Sequence, residues 1–563
     1  MTLTANEAGW IQAIAVLVTL FLLHIPLGDY IARKLGPSTA DPDMAPHWRV
    51  ERLVYRLSGV NPHDEQNWRQ YLRSVLALSG AGIVLLYAIL RLQAHLPYAQ
   101  GHSGLSPALA WDTAVSFATN TSWQNYSGEA TTGYAAVIVG LGIEAFASAA
   151  VGLAVSLALV RGLTRRQTED LGNFWVDFTR STTRVLLPLS VISGVLLIAF
   201  GVVQNWDSTV TVTTLTGGTQ QLPTGPVATW EPIKLLSGDG GGFFGASSAH
   251  PFENPTAASN AVETVLMMLV PTAMLRTYGR MVGDTRQGWA LLAVAATIFL
   301  LMAVGTGLAE NHLSDTASAA AGSTMNGKET RFGANGSSLF GIAATSSADG
   351  AGNSSYDSFS AFGGGLLLSA MMLGEISPGG VGSGLYGLLM VALIAVFLGG
   401  LMVGRTPEFL RKQITARQMT HVALYYLATP FVLLAGTALA MALPGERAQM
   451  GNSAAHGFTE VLYAFTSSAN SNGSSFSGLS GDTTWYNVVL GLVMLFGRYL
   501  PMVFVLALAG SLARQKPGAV TAGTLRTTGP MFVSLTAASA IVLVGLTFLP
   551  ALALGPLADG LHG

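Results

Sequence analysis

The chain has 563 residues, of which 50% are hydrophobic and only 10% are charged, and its net charge is −2. Because soluble domains carry about 25% charged residues, this composition excludes an ordinary soluble protein and predicts an integral membrane protein. The chain has no cysteine, which excludes disulfides, thiol catalysis and cysteine-ligated metals, and it has no basic run long enough to indicate nucleic-acid binding.

Apolar runs long enough to cross a bilayer, about 20 residues each, recur along the chain. The first has no basic region before it and no small-residue cleavage site, which predicts a retained helix and not a signal peptide. In chain order the runs are 10–29, 71–91, 131–160, 183–203, 256–275, 288–308, 361–403, 421–443, 486–511 and 530–552. The sequence therefore predicts ten spans, provided that the long run at 361–403 crosses only once.

Charge decides how often 361–403 crosses, because Lys and Arg concentrate in cytoplasmic loops. Of the 28 basic residues, 22 lie on one side of the membrane only if this run crosses once. The run also contains SPGGVGSG at 377–384, which should interrupt a helix. We therefore predict one broken seventh helix, of the kind that lines a cavity or is buried in protein, and both termini outside the cytoplasm.

Four long external connections each carry a semi-apolar stretch followed by a polar loop. The loops are TNTSWQNYSGE from Thr119, SGDGGGFFGASSAHPFENP from Ser237, TSSADGAGNSSYDSF from Thr345 and TSSANSNGSSFSG from Thr466. Their starts are 118, 108 and 121 residues apart, and this long period predicts four copies of one helix–loop–helix unit around a common axis. One such loop is equally typical of a plain extramembrane turn, whereas four at similar spacing favour a pore.

The composition of the four loops indicates which ion such a pore would hold. Rings of backbone carbonyl groups can replace the hydration shell of K⁺, and glycine lets the backbone adopt positive φ and aim its carbonyl groups inward. Divalent cations need clustered carboxylates, but these loops are mostly neutral. The loops therefore predict a monovalent cation held by backbone dipoles.

Several motifs give the chain a close resemblance to a known family. They are GGGFF, SAHPFENP at 248–255, GGVGSGLYG at 379–387, GRTPEFL at 404–410 and NGSSFSGLS at 472–480. In combination, and over nearly the whole chain, they resemble the KdpA family, the potassium-binding subunits of Kdp-type potassium-importing ATPases. The resemblance implies an all-α membrane protein with ten transmembrane helices and four pore-loop repeats around a pseudo-fourfold pore, in the potassium-channel-like superfamily.

The spans and loops together divide the chain into four pore units between two flanking helices. The division is an N-terminal transmembrane helix at 1–30, pore unit 1 at 71–160, pore unit 2 at 183–280, pore unit 3 with the broken helix at 288–404, pore unit 4 at 421–512 and a C-terminal transmembrane helix at 530–552.

The resemblance also implies a division of labour in a bacterial inner membrane. This chain would select extracellular K⁺, and a P-type ATPase subunit, KdpB, would hydrolyse ATP, with KdpC and, where one is present, a small KdpF-like peptide completing the complex. The chain itself has no GxxxxGK[ST] phosphate-binding loop and no DKTG phosphorylation motif. We therefore expect a subunit that transports K⁺ but is not itself an enzyme and binds no nucleotide. We also expect that it holds no metal outside the filter and that membrane lipid surrounds it.

Position by position, the resemblance implies a selectivity filter that acts mostly through backbone carbonyl groups. Ser122 stands where the first loop should have a glycine, and TVGYG is absent, which favours capture over conduction. Asp239 and Asp349 would either raise cation affinity or, in the interpretation we favour, point away to hydrogen-bond their own loops. The implied filter residues are Asn120, Thr121, Ser122 and Gln124 at the mouth, Gly238, Asp239, Gly240, Ala348, Asp349, Gly350, Ser471, Asn472 and Gly473.

Charges and glycines below the filter indicate a gate and a cavity. A fixed Arg498 would discourage ions from leaking straight to the cytoplasm, although a structural Glu375–Arg498 ion pair is an open alternative, as is an interfacial anchor for Arg405. No role beyond interhelical hydrogen bonding is assigned to Glu144 and Glu263. The gate and cavity residues are Glu375, Gly379, Gly380, Arg405 and Arg498.

Two other functions stay open from the sequence. A potassium symporter or channel of the same superfamily would share the pore loops, but the motifs at 248–255 and 379–410 argue against it. A non-transporting membrane scaffold would bind no ion and would tolerate changes in the loops.

Overall fold

The computed structural model describes residues 5–562 except 39–40, 42–43, 208, 313–323, 403, 405 and 519–525. Twenty α-helices form most of this described part. They are α1 Ala5–Leu35, α2 Arg49–Ser58, α3 Trp68–Leu92, α4 Pro107–Ala118, α5 Gly128–Thr131, α6 Gly142–Thr164, α7 Phe174–Arg180, α8 Leu187–Ala199, α9 Val227–Ser237, α10 Ala257–Met281, α11 Thr285–Asn311, α12 Gly333–Ser346, α13 Ala361–Met372, α14 Ser383–Met402, α15 Ala416–Ala442, α16 Pro444–Arg447, α17 Ala454–Asn470, α18 Thr484–Ala513, α19 Pro530–Leu554 and α20 Pro556–His562.

Short elements complete the described secondary structure. The π-helical segments Ala136–Leu141 and Ser181–Leu186 run directly into α6 and α8, and 3₁₀ turns form at Gln93–His95, Ser247–Ala249 and Tyr356–Ser358. Two antiparallel strand pairs are β1 Val210–Thr213 with β2 Thr219–Leu222, and β3 Glu408–Phe409 with β4 Lys412–Gln413.

The prediction of an all-α membrane protein with ten spans is confirmed. Within the described residues, ten helical segments are long and apolar enough to cross a membrane. They are Ala8–Leu35, Trp68–His95, Ala136–Thr164, Phe174–Ala199, Ala257–Met281, Thr285–Asn311, Ser383–Met402, Ala416–Ala442, Thr484–Ala513 and Pro530–Leu554. The chain is therefore a multi-pass membrane protein.

The fourth span begins at Phe174, nine residues earlier than the sequence predicted. Hydropathy excluded this segment because it carries charged side chains. In the fold these charges are paired: Asp177 lies 2.6 Å from Arg161 of α6, and Arg180 lies 4.0 Å from Glu51 of α2. Pairing and hydrogen bonding offset much of the cost of burying a charge, so the helix continues through them.

Burial separates an inner set of spans from an outer set. In four spans, between 50% and 83% of the most apolar window is buried inside the protein, whereas in the other six the share is 17–33%. The four inner spans are Ala136–Thr164, Ala257–Met281, Ser383–Met402 and Thr484–Ala513. Each inner span follows one of the four polar loops in the chain, so the fold places these loops at its centre.

Local sequence explains why helices restart after the polar loops. Three of the loops end in a Ser or Thr whose side-chain oxygen accepts a hydrogen bond from a backbone N–H in the first turn of the next helix, which is the usual N-cap. The pairs are Thr256 with Ser259, Ser360 with Gly363 and Thr483 with Tyr486.

The run at 361–403 is one helix interrupted by a loop. The helices α13 and α14 flank residues 373–382, which contain Pro378 and several glycines. Proline and glycine end helices because proline lacks a backbone N–H and glycine gains little from helix formation. The interruption lies where SPGGVGSG predicted it.

Candidate functional site

Four short helices, α4, α9, α12 and α17, end at the four polar loops, and we call them the pore helices. Either the first or the second residue after the end of each pore helix has the left-handed backbone conformation. These residues are Asn120 with φ 59°, Gly238 with φ 60°, Ala348 with φ 56° and Ser471 with φ 61°. Their side chains have nothing in common, so what repeats is the backbone conformation.

The same backbone hydrogen bond closes each pore helix. In every case the residue after the left-handed one donates its N–H to the carbonyl group five positions earlier, as in the Schellman helix ending. The four bonds are Thr121 to Ser116 at 2.9 Å, Asp239 to Lys234 at 3.2 Å, Asp349 to Ala344 at 3.0 Å and Asn472 to Ser467 at 2.9 Å. Each pore helix thus directs the negative end of its dipole toward its loop, where it favours a cation.

The first three loops touch one another in chain order. The side-chain amide of Asn120 in the first loop donates to the carbonyl oxygen of Gly238 in the second at 2.7 Å. Gly240 of the second loop packs on Gly350 of the third so closely that a Cβ on Gly240 would lie 2.6 Å from the Gly350 carbonyl carbon.

The fourth loop closes the ring. A Cβ on Gly350 would lie 2.7 Å from the carbonyl oxygen of Asn472 and 3.0 Å from the Cα of Gly473. A Cβ on Gly473, in turn, would overlap the carbonyl oxygen of Thr121 in the first loop. Each loop therefore contacts the next, and the contacts form a closed ring. The residues that make them are Asn120, Thr121, Gly238, Gly240, Gly350, Asn472 and Gly473.

Ser122 takes the backbone conformation of the glycine that it replaces. Its φ is 51°, beside 76° for Gly240 and 95° for Gly473 at the corresponding positions of the second and fourth loops. A non-glycine residue with positive φ is strained by about 1–3 kcal/mol and persists only where the surrounding structure holds it. Tertiary contacts therefore hold Ser122 in the backbone conformation that Gly240 and Gly473 adopt in the second and fourth loops.

The two acidic residues of the loops, Asp239 and Asp349, differ in their hydrogen bonding. A carboxylate oxygen of Asp349 accepts the backbone N–H of Ala351 at 3.0 Å, which is the loop-directed arrangement favoured from sequence. The Asp239 carboxyl is fully buried and makes no well-formed hydrogen bond with a described residue. It lies near the Ser122 hydroxyl and within electrostatic range of Arg498.

Several buried oxygen atoms in and beside the four loops have no hydrogen-bond partner among the described residues, as have others elsewhere in the protein. Buried polar atoms are nearly always satisfied, so those beside the loops are free to face an ion or its water. They belong to the side chains of Ser116, Asn120, Ser122, Asp239, Ser346, Asp349, Glu375, Ser377 and Ser468. Oxygen atoms can replace the hydration shell of K⁺, so this oxygen donor set fits K⁺.

A cavity of about 420 Å³ opens above the ring, and all four loops line it. Gln124 lies at this mouth, where its side-chain oxygen accepts the backbone N–H of Gly242 at 2.9 Å and its amide donates to the Tyr126 hydroxyl at 3.1 Å. Gln124 therefore joins the first loop to the second, and it lies at the mouth, as the resemblance implied.

The loop at 373–382 lies directly beneath the ring of the four polar loops. The N–H of Gly379 donates to the carbonyl group of Ser346 at the end of α12, at 2.9 Å, and a Cβ on Gly380 would lie 2.8 Å from the Cβ of Ala348. Further along, a Cβ on Gly382 would overlap the carbonyl oxygen of Gly152 in α6. The loop thus crosses from the third unit to the first.

A second cavity, of about 180 Å³, lies below the fourth loop and is lined by Glu375 and Arg498. The Glu375–Arg498 ion pair considered from sequence is absent, because no nitrogen–oxygen distance of 4.0 Å or less joins these two described residues. Arg498 instead donates to the carbonyl group of Ser148 at 3.5 Å. Arg405 lies outside the described residues.

A buried charge cluster behind the second loop is the main feature that sequence reasoning missed. The ammonium group of Lys234 lies 2.8 Å from a carboxylate oxygen of Glu231 and 2.6 Å from one of Glu253, and all three side chains are fully buried. Glu263 of α10, also fully buried, faces the same group. Neither carboxylate oxygen of Glu263 has a hydrogen-bond partner among the described residues, so Glu263 acts on the cluster electrostatically and not through the interhelical hydrogen bonding expected from sequence.

The cluster reaches the second filter loop directly. Glu253 also accepts the backbone N–H of Phe244 at 2.7 Å, and Lys234 donates to the Ser247 hydroxyl at 3.4 Å. That hydroxyl donates to the carbonyl oxygen of Gly241 at 2.7 Å. The only sequence signal was the unusual lysine in the apolar helix WEPIKLLS, close to SAHPFENP.

Glu144 of α6 is another acidic residue within a span, and it packs against α3. A Cβ on Gly82 of α3 would lie 2.6 Å from one of its carboxylate oxygens, and Glu144 lies within electrostatic range of Asp239 in the second loop.

Comparison with known proteins gives one consistent answer. The family model described as KdpA, potassium-transporting ATPase A subunit, matches residues 14–561. The chain is 52% identical to the potassium-transporting ATPase potassium-binding subunit of Clavibacter michiganensis subsp. michiganensis, over 98% of this chain and 99% of that protein. It is 51% identical to the protein of the same description from Kineococcus radiotolerans, over 99% of each.

A solved structure shows the same fold. The crystal structure of the potassium transporter TrkH from Vibrio parahaemolyticus matches with a TM-score of 0.53 over 89% of this chain and 97% of that one, at 14% sequence identity.

Proposed function

The chain belongs to the KdpA family of potassium-transporting ATPase A subunits, and we propose that it is the potassium-binding subunit of an ATP-driven potassium importer. ATP hydrolysis then lies in another subunit of the complex, a P-type ATPase of the KdpB kind. KdpC and, where present, a KdpF-like peptide complete the complex. The membrane is the bacterial inner membrane, with both termini on its outer side.

One observation carries the filter proposal: four loops with one backbone conformation form a closed ring of contacts around one centre. K⁺ enters the cavity of about 420 Å³ above the ring with its hydration shell. At the ring it exchanges water for backbone carbonyl oxygens, with the dipoles of four pore helices adding a favourable potential. The filter residues are the thirteen that the resemblance implies.

Below the filter, K⁺ leaves sideways toward the ATPase subunit. Arg498 places a fixed positive charge in the lower cavity, and a positive charge opposes the passage of cations. The same cavity extends outward to Leu427 of α15 and Phe548 of α19, and Leu427 is 64% exposed on the outer surface. The loop at 373–382 acts as the gate between filter and cavity.

Reconstitution tests this function. We expect ATPase activity of the purified complex to depend on micromolar to millimolar K⁺ only when this chain is present, and ⁸⁶Rb⁺ to accumulate in vesicles when ATP is added. ATP hydrolysis that responds to K⁺ equally without this chain would contradict the assignment.

A further inference from the structure

Helix α2 carries an apolar face that no other described part of the chain covers. Residues 50, 53, 54 and 57 share one side of a helix because they follow the i, i+3, i+4, i+7 spacing. Val50, Leu53, Val54 and Leu57 occupy these positions and are 58%, 53%, 39% and 79% exposed. An exposed apolar stripe of this kind marks an interaction surface.

The neighbouring face of α2 is basic. Arg49, Arg52 and Arg56 follow the i, i+3, i+7 spacing and are all exposed. Among the described residues, none of the three has a carboxylate oxygen within 4.0 Å. Their charges are therefore available to an anion outside the chain.

The third face fixes the helix to the body of the protein. Glu51 is fully buried and accepts hydrogen bonds from Arg184 at 2.5 and 2.7 Å and from the backbone N–H of Trp48 at 2.9 Å. Tyr55, one turn later, is 3% exposed and packs edge-on against His47. The apolar and basic faces are therefore held in a defined orientation.

The contacts of Arg184 set the depth of α2. Arg184 lies 15 residues before the end of its span at Ala199, about 22 Å along the helix axis, which is less than the roughly 30 Å of a hydrocarbon core. The Tyr30 hydroxyl donates to the carbonyl group of Arg184 at 3.2 Å, within the first span. Since α2 docks on Arg184, it lies at the membrane boundary and not out in water.

We propose that α2 is an in-plane membrane anchor whose apolar face enters the cytoplasmic leaflet and whose arginines bind the headgroups of anionic phospholipids. An apolar face beside a basic one is the arrangement of interfacial helices, and the negative potential of anionic lipids attracts such arginines. Trp48, 45% exposed with the Arg184 guanidinium 5.0 Å from the centre of its ring, supplies the aromatic residue typical of this depth. The anchor is independent of the transport function.

The test uses the absence of cysteine from the chain, because L57C then gives a single site for a bimane fluorophore. The full chain, alone and in complex with its partner subunits, is placed in phosphatidylcholine vesicles that contain either brominated phosphatidylcholine or brominated phosphatidylglycerol at equal fraction. We expect strong quenching, at least twofold greater with brominated phosphatidylglycerol. T216C, in the exposed turn between β1 and β2, is the control and should be quenched weakly by both lipids.

A triple variant, R49Q/R52Q/R56Q in the L57C chain, should keep the quenching but lose the preference for phosphatidylglycerol. Absence of quenching at L57C, or equal quenching by the two lipids, would overturn the proposal. Quenching that is present in the chain alone but disappears in the complex would also overturn it, because the face would then belong to a partner protein.

Discussion

Gly240 of the second loop lies against the backbone of Gly350 in the third, with room for no side chain between them: a Cβ on Gly240 would lie 2.6 Å from the Gly350 carbonyl carbon and would overlap its amide nitrogen and Cα. Gly240 also has φ +76°. This pair joins two units that are more than one hundred residues apart in sequence, and it brings the backbones of the second and third loops into direct contact.

Replacing Gly240 by valine should weaken K⁺ binding. Positive φ strains a β-branched residue by about 1–3 kcal/mol, and the clash of its side chain with Gly350 adds to this strain. Because 1.4 kcal/mol corresponds to a factor of ten in affinity, the effect on K⁺ binding is large. We expect G240V to raise the K⁺ concentration for half-maximal ATPase activity at least tenfold. G283V is the control, because Gly283 has φ +77° but open space around its Cβ position. Unchanged K⁺ dependence in G240V would contradict the role of this glycine.

Removing the charge of Lys234 should alter ion selectivity. K234M leaves the Glu231 and Glu253 carboxylates unpaired in the interior, and breaking a buried pair costs about 3–5 kcal/mol. Because the cluster holds the backbone at Phe244 and Gly241, we expect K⁺ over Na⁺ discrimination in ATPase stimulation to fall at least fivefold, with partial recovery in K234R.

The matched control for K234M is R161M, which breaks the buried Arg161–Asp177 pair at the end of α6. Both variants should lower the thermal stability, but only K234M should change the discrimination. Equal K⁺/Na⁺ ratios in the two variants would show that Lys234 acts on folding alone.

Shortening the loop beneath the filter should open a leak. Deletion of residues 380–382 removes the segment that lies between Ala348 and Gly152. We expect passive ⁸⁶Rb⁺ flux through the reconstituted complex without ATP to rise at least tenfold. A three-residue deletion at 215–217, in the exposed turn between β1 and β2, is the control. Flux that matches the unmodified protein would argue against a gate at 373–382.

A histidine outside the membrane-spanning helices should make stability depend on pH. His456 lies 3.0 Å from Asp357 and 2.8 Å from Asp559 of α20, and hydrogen bonds to these carboxylates, chiefly that of Asp357, raise its pKa to about 9. The raised pKa means that the stabilisation is complete below about pH 6.5 and is lost as the pH rises through about 9. At 1.36 kcal/mol per unit, it amounts to roughly 3 kcal/mol.

Thermal unfolding of the complex between pH 6 and pH 10 measures this contribution. We expect the midpoint temperature to fall across that range by several degrees more in the unmodified protein than in H456Q. H63Q, which changes an exposed histidine, should behave like the unmodified protein. An identical pH profile for H456Q would exclude the proposed ion pairs.

The spans and the four loops could be predicted from sequence because hydropathy, charge and composition are local properties. The common filter conformation could not, since Asn120, Ala348 and Ser471 share φ near 60° without sharing any side chain. Similarly, Lys234 meets Glu253 and Glu263 only after the chain turns back at SAHPFENP. Both features depend on contacts between distant parts of the chain, which local composition does not specify.

Anomalous scattering from Rb⁺ in crystals of the complex tests the central claim most directly. We predict anomalous density at the centre of the ring formed by Asn120, Gly240, Gly350 and Gly473, within about 3 Å of backbone carbonyl oxygens from all four loops. The density should disappear when Na⁺ replaces Rb⁺. Density located elsewhere, or none at the ring in saturating Rb⁺, would contradict the four-loop filter.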